Sequence, residues 1–147
     1  MVVLFDELKE YRGRVGMVDG AFDPLHQGHI EYFRAAAELG VPLLCNVASD
    51  AYVRTKHPPL LPAAHRVAVV DAIRYITYTH LYVVDTETTL RELQPRYYIK
   101  GQDWRNRLPA EQVQICQQYG TEIVYLDTVV DSSTRLLEHF ASQQNQR

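Results

Sequence analysis

The sequence predicts an α/β domain: a doubly wound parallel sheet with helices on both faces. Three observations point there. Short apolar runs of strand length alternate with segments of helical periodicity, the mark of βαβ units and of a sheet buried on both sides. Gly40, Pro62, Pro95 and Gly120 fall at the junctions, where caps and breakers belong. The length of 147 residues, with 46% hydrophobic and 22% charged, fits one globular domain over residues 1–147 and excludes a disordered chain.

Each element has its own justification. Leu4, Leu8 and Tyr11 mark one face of a short first helix, and Val15 to Val18 is a buried-strand run. Ile30, Phe33 and Ala37 are helically spaced and Gly40 supplies a C-cap. Leu43 to Ala48 is the second strand. Val67, Val70 and Ile73 lie on one face of a helix from Ala63 to Tyr75. Leu81 to Val84 is a strand, Thr88 to Leu93 a helix stopped by Pro95, and Tyr97 to Ile99 a strand. Pro109 to Tyr119 is a helix closed by Gly120, and Ile123 to Leu126 a strand. Ser132 or Ser133 caps a last helix through Phe140, after which the polar tail of about 142–147 is expected to fray.

Composition removes several function classes. With 15 Lys and Arg against 18 Asp and Glu, the formal charge is −3, so no nucleic-acid partner is expected. No apolar run approaches the ~18 residues of a membrane span, so no membrane partner is expected either. Met1 to Phe5 is too short for a signal-peptide core and runs into Asp6 and Glu7, which makes the cytoplasm the expected compartment. Cys45 and Cys116 both sit in apolar patterns and read as reduced core cysteines.

In such sheets ligands bind beyond the carboxyl ends of the strands. That directs attention to the residues after Val18, Ala48, Ile99 and Leu126. The first of these places is the richest: Asp19-Gly20-Ala21-Phe22-Asp23-Pro24-Leu25-His26-Gln27-Gly28-His29, then a helix. Gly20 and Gly28 allow close backbone approach, and the helix start attracts anions. His26 and His29, three apart, face the same way in a first helical turn. Two imidazoles over an anion-binding terminus suit a pentacoordinate phosphorus. Zinc is not expected, because no third ligand has sensible spacing.

Gly20, Phe22, Asp23, Pro24, His26, Gly28 and His29 resemble the G-x-F-D-P-x-H-x-G-H signature of the cytidylyltransferase-like nucleotidyltransferases. The resemblance extends over nearly the whole chain. It implies a Rossmann-like fold and transfer of NMP from an NTP to a phosphate or related acceptor, with pyrophosphate leaving. It implies catalytic roles for His26 and His29, and nucleotide contacts by Gly20, Ala21, Phe22, Asp23 and Gly28. Asp23 is also read as orienting the loop or a histidine. In Arg54-Thr55-Lys56-His57-Pro58-Pro59-Leu60, Lys56 matches the family's catalytic lysine over the outer phosphates. Arg66, after Pro62, is expected to fix that loop or the acceptor. Ser132, Ser133 and Thr134, before Arg135, resemble the family's phosphate-binding start of the last helix. Mg²⁺ is expected to arrive with the NTP, no protein metal site is expected, and a homodimer is implied.

Lys100-Gly101-Gln102-Asp103-Trp104 occupies the family's nucleoside-side stretch. Lys100, Gly101 and Asp103 look most like the ATP-using sugar-phosphate (heptose-1-phosphate) adenylyltransferases. Trp104 and Arg74-Tyr75 look more like the glycerol-3-phosphate cytidylyltransferases. That second pattern continues with Val-Asp where this chain has Ile76-Thr77, and with an Arg where it has Asp127. ATP and CTP both stay open, with the balance toward the sugar-phosphate branch. Asp19, Arg66, Lys100 and Gln102 are the candidate acceptor residues, since arginine and lysine suit a phosphate while aspartate and glutamine suit hydroxyls. A non-catalytic nucleotide-binding regulatory module is the competing class. It predicts a damaged histidine pair, and both histidines are present.

Overall fold

A computed structural model describes residues 1–128 and 133–145, with side chains of the last helix described from residue 137 onward. Five parallel strands form one sheet in the order β3-β2-β1-β4-β5. They are β1 (Gly16–Gly20), β2 (Leu43–Val47), β3 (Tyr78–Leu81), β4 (Tyr97–Gly101) and β5 (Glu122–Leu126). The chain winds outward from β1 through β2 and β3, then returns to β4 on the other side of β1. The strand order therefore reverses between β1 and β4, where a cleft opens at their carboxyl ends.

Alternation along the strands decides which helix covers which face. Val18, Cys45, Val47 and Ile99 pack against α1 (Gln27–Ala37) and α3 (Ala63–Asp71), meeting Phe33, Val67 and Val70. Met17, Leu44 and Tyr98 face the other way. There they meet Leu8 of an N-terminal 3-10 helix (Phe5–Tyr11), Leu90 and Leu93 of α4 (Thr86–Leu93), and Ile115 of α5 (Ala110–Tyr119). Every residue of β2 is buried, as a strand with neighbours on both edges and both faces must be. Cys45 and Cys116 are buried and unpaired on opposite faces.

The structure departs from the sequence reading at several junctions. β3 lies at Tyr78–Leu81 instead of Leu81 to Val84, because β2 runs out of partners at the Val47–Leu81 pair. Val83 and Val84, apolar but past the sheet, are 83% and 73% exposed. α3 ends at Asp71, and residues to Ile76 continue in tight turns with Ile76 N–H on the Ile73 carbonyl. A short α2 (Asp50–Arg54) follows β2, capped by the Ser49 hydroxyl on the Tyr52 N–H. A 3-10 turn covers Gln102–Trp104. The last helix, α6 (Ser133–Asn145), runs on through residues expected to fray, and Gln143 bonds back to His139 one turn earlier.

Candidate active site

β1 ends in Gly20, and the chain turns sharply at Phe22, whose φ of 54° lies in the left-handed region. The Phe22 ring folds back over the strand end, so a Cβ on residue 20 would sit 2.9 Å from it. Only glycine fits there. The same ring packs on Phe33 and meets the His29 imidazole edge-on at 5.0 Å.

His26 is the N-cap of α1 and His29 its third residue, and the two form a reciprocal cap. The Gly28 N–H donates to His26 Nδ1 and the His26 N–H donates to His29 Nδ1, each at 3.1 Å. With both Nδ1 atoms accepting, the neutral rings carry their protons on Nε2. The rings stack at 3.9 Å. Burial, and then the neighbouring His26, lower His29 from 6.5 to about 3. His29 is therefore neutral at pH 7: a fixed N–H donor rather than a cation.

A cleft of about 440 Å³ opens here. Its wall includes Gly20, Ala21, Phe22 and His29 from the β1–α1 turn, Tyr52 and Lys56 from α2 and beyond, and Lys100, Gly101, Asp103 and Trp104 after β4. Lys56 is exposed, with its ammonium 5.2 Å from the Tyr52 ring centre. Gly101 has its own steric reason: a Cβ there would meet Asp103 Oδ1 at 2.7 Å and the Thr128 carbonyl at 2.9 Å.

Five candidate residues lie off the cleft wall: His26, whose ring caps α1 beside His29, and Asp23, Arg66, Gln102 and Gly28. Asp23, wholly buried, accepts the Leu60 and Leu61 N–H groups at 2.7 and 2.8 Å. It ties the histidine turn to the lysine loop instead of lining the nucleotide site. Arg66 does not reach an acceptor. It is buried, with Nε on the Leu61 carbonyl, Nη1 on the Ala21 and Ala48 carbonyls, and Nη2 on Asp50 at 2.8 Å. The guanidinium holds the Asp50 carboxyl below its usual range. The expectation that Arg66 fixes the loop is the one the geometry meets. Gln102 is exposed and lies outside the cleft wall, because the 3-10 turn carries it away from Asp103 and Trp104. Gly28 likewise stays off the wall, its N–H spent on His26. Ser132 and the side chains of Ser133 and Thr134 lie outside the described residues.

Asp19 and Lys100, both read from the sequence as ligand contacts, form one buried ion pair at 2.7 Å. The Lys100 ammonium also sits 4.1 Å above the Trp104 ring. Tyr98, whose hydroxyl burial and Asp19 push well up, stands between Asp19 and Gln112. Tyr52, Tyr82, Asp85, Glu87, Tyr98 and Gln112 also line the cleft and were missed. A signal for some existed. Placing β3 three residues late hid that its carboxyl end, too, feeds the cleft, and that Asp85 caps α4 there through the Thr88 N–H. Tyr82 is buried in the wall and Tyr78 packs on Tyr11. Among the described residues no group of three or more His, Cys, Asp or Glu could hold a metal ion, and no helix is long and apolar enough to cross a membrane.

The model of the family described as "Cytidylyltransferase-like" matches residues 17–141. The chain belongs to that family. It thus carries a nucleotidyltransferase domain on a Rossmann-like fold. Bifunctional protein HldE of Hahella chejuensis is 33% identical over 139 residues, covering 90% of this chain and 28% of that protein. The chain spans less than a third of this relative's length. FAD synthase of Archaeoglobus fulgidus is 38% identical over 88 residues, covering 59% of this chain and 64% of that protein. Among solved structures, a lipopolysaccharide core biosynthesis protein from Thermoplasma volcanium superposes with a TM-score of 0.66 at 23% identity, covering 78% of this chain and 97% of that one. That likeness concerns the fold.

Proposed function

We propose that this domain transfers NMP from ATP or CTP to a sugar or polyol phosphate, releasing pyrophosphate. One observation carries the reading. His26 and His29 are locked as Nε2–H donors at the start of α1, and Lys56 lines the same cleft as His29. The acceptor phosphate attacks the α-phosphorus in line, and no protein nucleophile is needed. The histidines donate to the α-phosphoryl oxygens as charge builds, Lys56 meets the outer phosphates, and the N–H groups opening α1 add their dipole. Mg²⁺ arrives as part of the triphosphate substrate and neutralises it. Lys100, Gly101 and Asp103 support ATP and the sugar-phosphate branch, and the identity to HldE agrees with them. Trp104 supports the second reading, a glycerol-3-phosphate cytidylyltransferase. A homodimer belongs to the same proposal and is checked by sedimentation.

The test is pyrophosphate release with ATP or CTP and a panel of hexose, heptose, glycerol and amino-alcohol phosphates, with FMN, NMN and pantetheine phosphate included. Turnover with a sugar or polyol phosphate is the expected result. Turnover confined to FMN, NMN or pantetheine phosphate removes the acceptor assignment, and nucleotide binding without turnover favours the regulatory module.

A further inference from the structure

A chain of polar side chains runs along the cleft on its α4–α5 side, and none of the phosphate chemistry above uses it. Lys100 donates to Asp19 Oδ1 at 2.7 Å. The Tyr98 hydroxyl has Asp19 Oδ2 at 3.1 Å and Gln112 Oε1 at 2.9 Å. Gln112 Nε2 donates to Glu87 Oε1 at 2.9 Å. All five residues line the cleft.

The hydrogen-bond accounting along this strip does not close. Tyr98 has one proton and faces two acceptors, so Asp19 Oδ2 or Gln112 Oε1 always lacks it. Glu87, half-buried, has one oxygen on Gln112, and its second has no partner among the described residues. The strip thus presents spare acceptor oxygens to the cleft. Phosphate oxygens accept only, and carboxylates repel them, so the triphosphate gains nothing here. Alcohol groups, donors as well as acceptors, supply the protons these oxygens lack. A cationic ligand is less suited, since Lys100 already neutralises Asp19 and already covers the Trp104 ring.

We propose that Glu87 and Gln112, held in line by Tyr98 and Asp19, are specificity-determining residues that read the hydroxyl groups of a polyhydroxylated acceptor. This rests on reading the cleft as a nucleotidyltransferase site.

Trp104 is the chain's single tryptophan and lines the cleft, so its fluorescence reports binding without turnover. Heptose, hexose, glycerol and ethanolamine phosphates, and separately ATP and CTP, are titrated against wild type, Glu87→Gln and Gln112→Leu. Glu87→Gln preserves size and one hydrogen bond, which keeps the test open if Gln112→Leu folds poorly. Each variant is expected to weaken heptose phosphate at least tenfold, to leave NTP affinity within about twofold, and to abolish the preference for polyol over ethanolamine phosphate. Unchanged polyol affinity, equal losses for NTP, or tighter binding of ethanolamine phosphate overturns the proposal. Variant-sensitive polyol binding with no pyrophosphate release from any NTP removes the catalytic reading and leaves the strip. Pyrophosphate release with FMN and no polyol binding removes the strip and leaves nucleotidyl transfer.

Discussion

Replacing His29 by Gln gives a variant whose stability answers to pH differently from wild type. In the folded chain burial and His26 lower His29 from 6.5 to about 3. In the unfolded chain it titrates near its ordinary ~6.5. Between these values the unfolded state binds a proton that the folded state refuses, so stability falls as pH falls. The contribution is complete above the unfolded pKa and is lost progressively through the window from about 6.5 to about 3. At pH 5, about 1.5 pH units below the unfolded value, the loss is about 2 kcal/mol at 1.36 kcal/mol per unit. Gln at the third helical position keeps the return bond of the cap and has no proton to take up. Urea denaturation of both proteins at pH 7 and pH 5 isolates the term, because the buried His80, also lowered by burial, is common to both. Wild type is expected to lose about 2 kcal/mol more than His29→Gln across that interval. Equal losses refute the assignment of His29 as a buried neutral donor.

Other outcomes follow from the same geometry. His26→Ala and His29→Ala each lower turnover by roughly 10²–10³, the loss of one oxyanion-type donor, measured as pyrophosphate release from protein whose circular dichroism is unchanged. Lys56→Ala raises the NTP KM roughly tenfold or more and the acceptor KM far less, since one charge-assisted contact to the outer phosphates goes. The lysine loop is already anchored at Leu60 and Leu61, so proteolysis should cut near Lys56 before it cuts near Leu61, and NTP should protect the former. Arg66→Met orphans three carbonyls and a carboxylate partner and costs on the order of 3 kcal/mol, read from the urea midpoint. Gly20→Ala forces the Phe22 ring aside and costs roughly 1–3 kcal/mol by the same measurement.

The sheet was legible because its signal is local. A strand such as Leu43–Val47 is apolar throughout, and a helix such as α1 shows its period in Ile30, Phe33 and Ala37. The histidine turn was legible for the same reason, lying within eleven consecutive residues. What the sequence hid was set by distant partners. β3 stops where β2 stops, and nothing in Val83 or Val84 announces that. Arg66 and Asp23 carry the residue types of ligand contacts, and only the fold shows that Arg66 holds the Ala21 and Ala48 carbonyls, 45 and 18 residues away, and Asp23 the N–H groups of Leu60 and Leu61, 37 and 38 residues away. Asp19 and Lys100, 81 positions apart, were each assigned a ligand when each is first a partner of the other. A pairing across β1 and β4 leaves no periodic trace for a reader of one strand.

Asp23 and Arg66 together have a consequence for how such a domain diversifies. They bolt the histidine turn, the end of β2 and the lysine loop into one piece through main-chain carbonyls and N–H groups. Across the cleft, Glu87 and Gln112 hang on α4 and α5 by their side chains alone. Their substitution leaves those main-chain ties intact, and residues 105–107 are exposed turns outside the sheet.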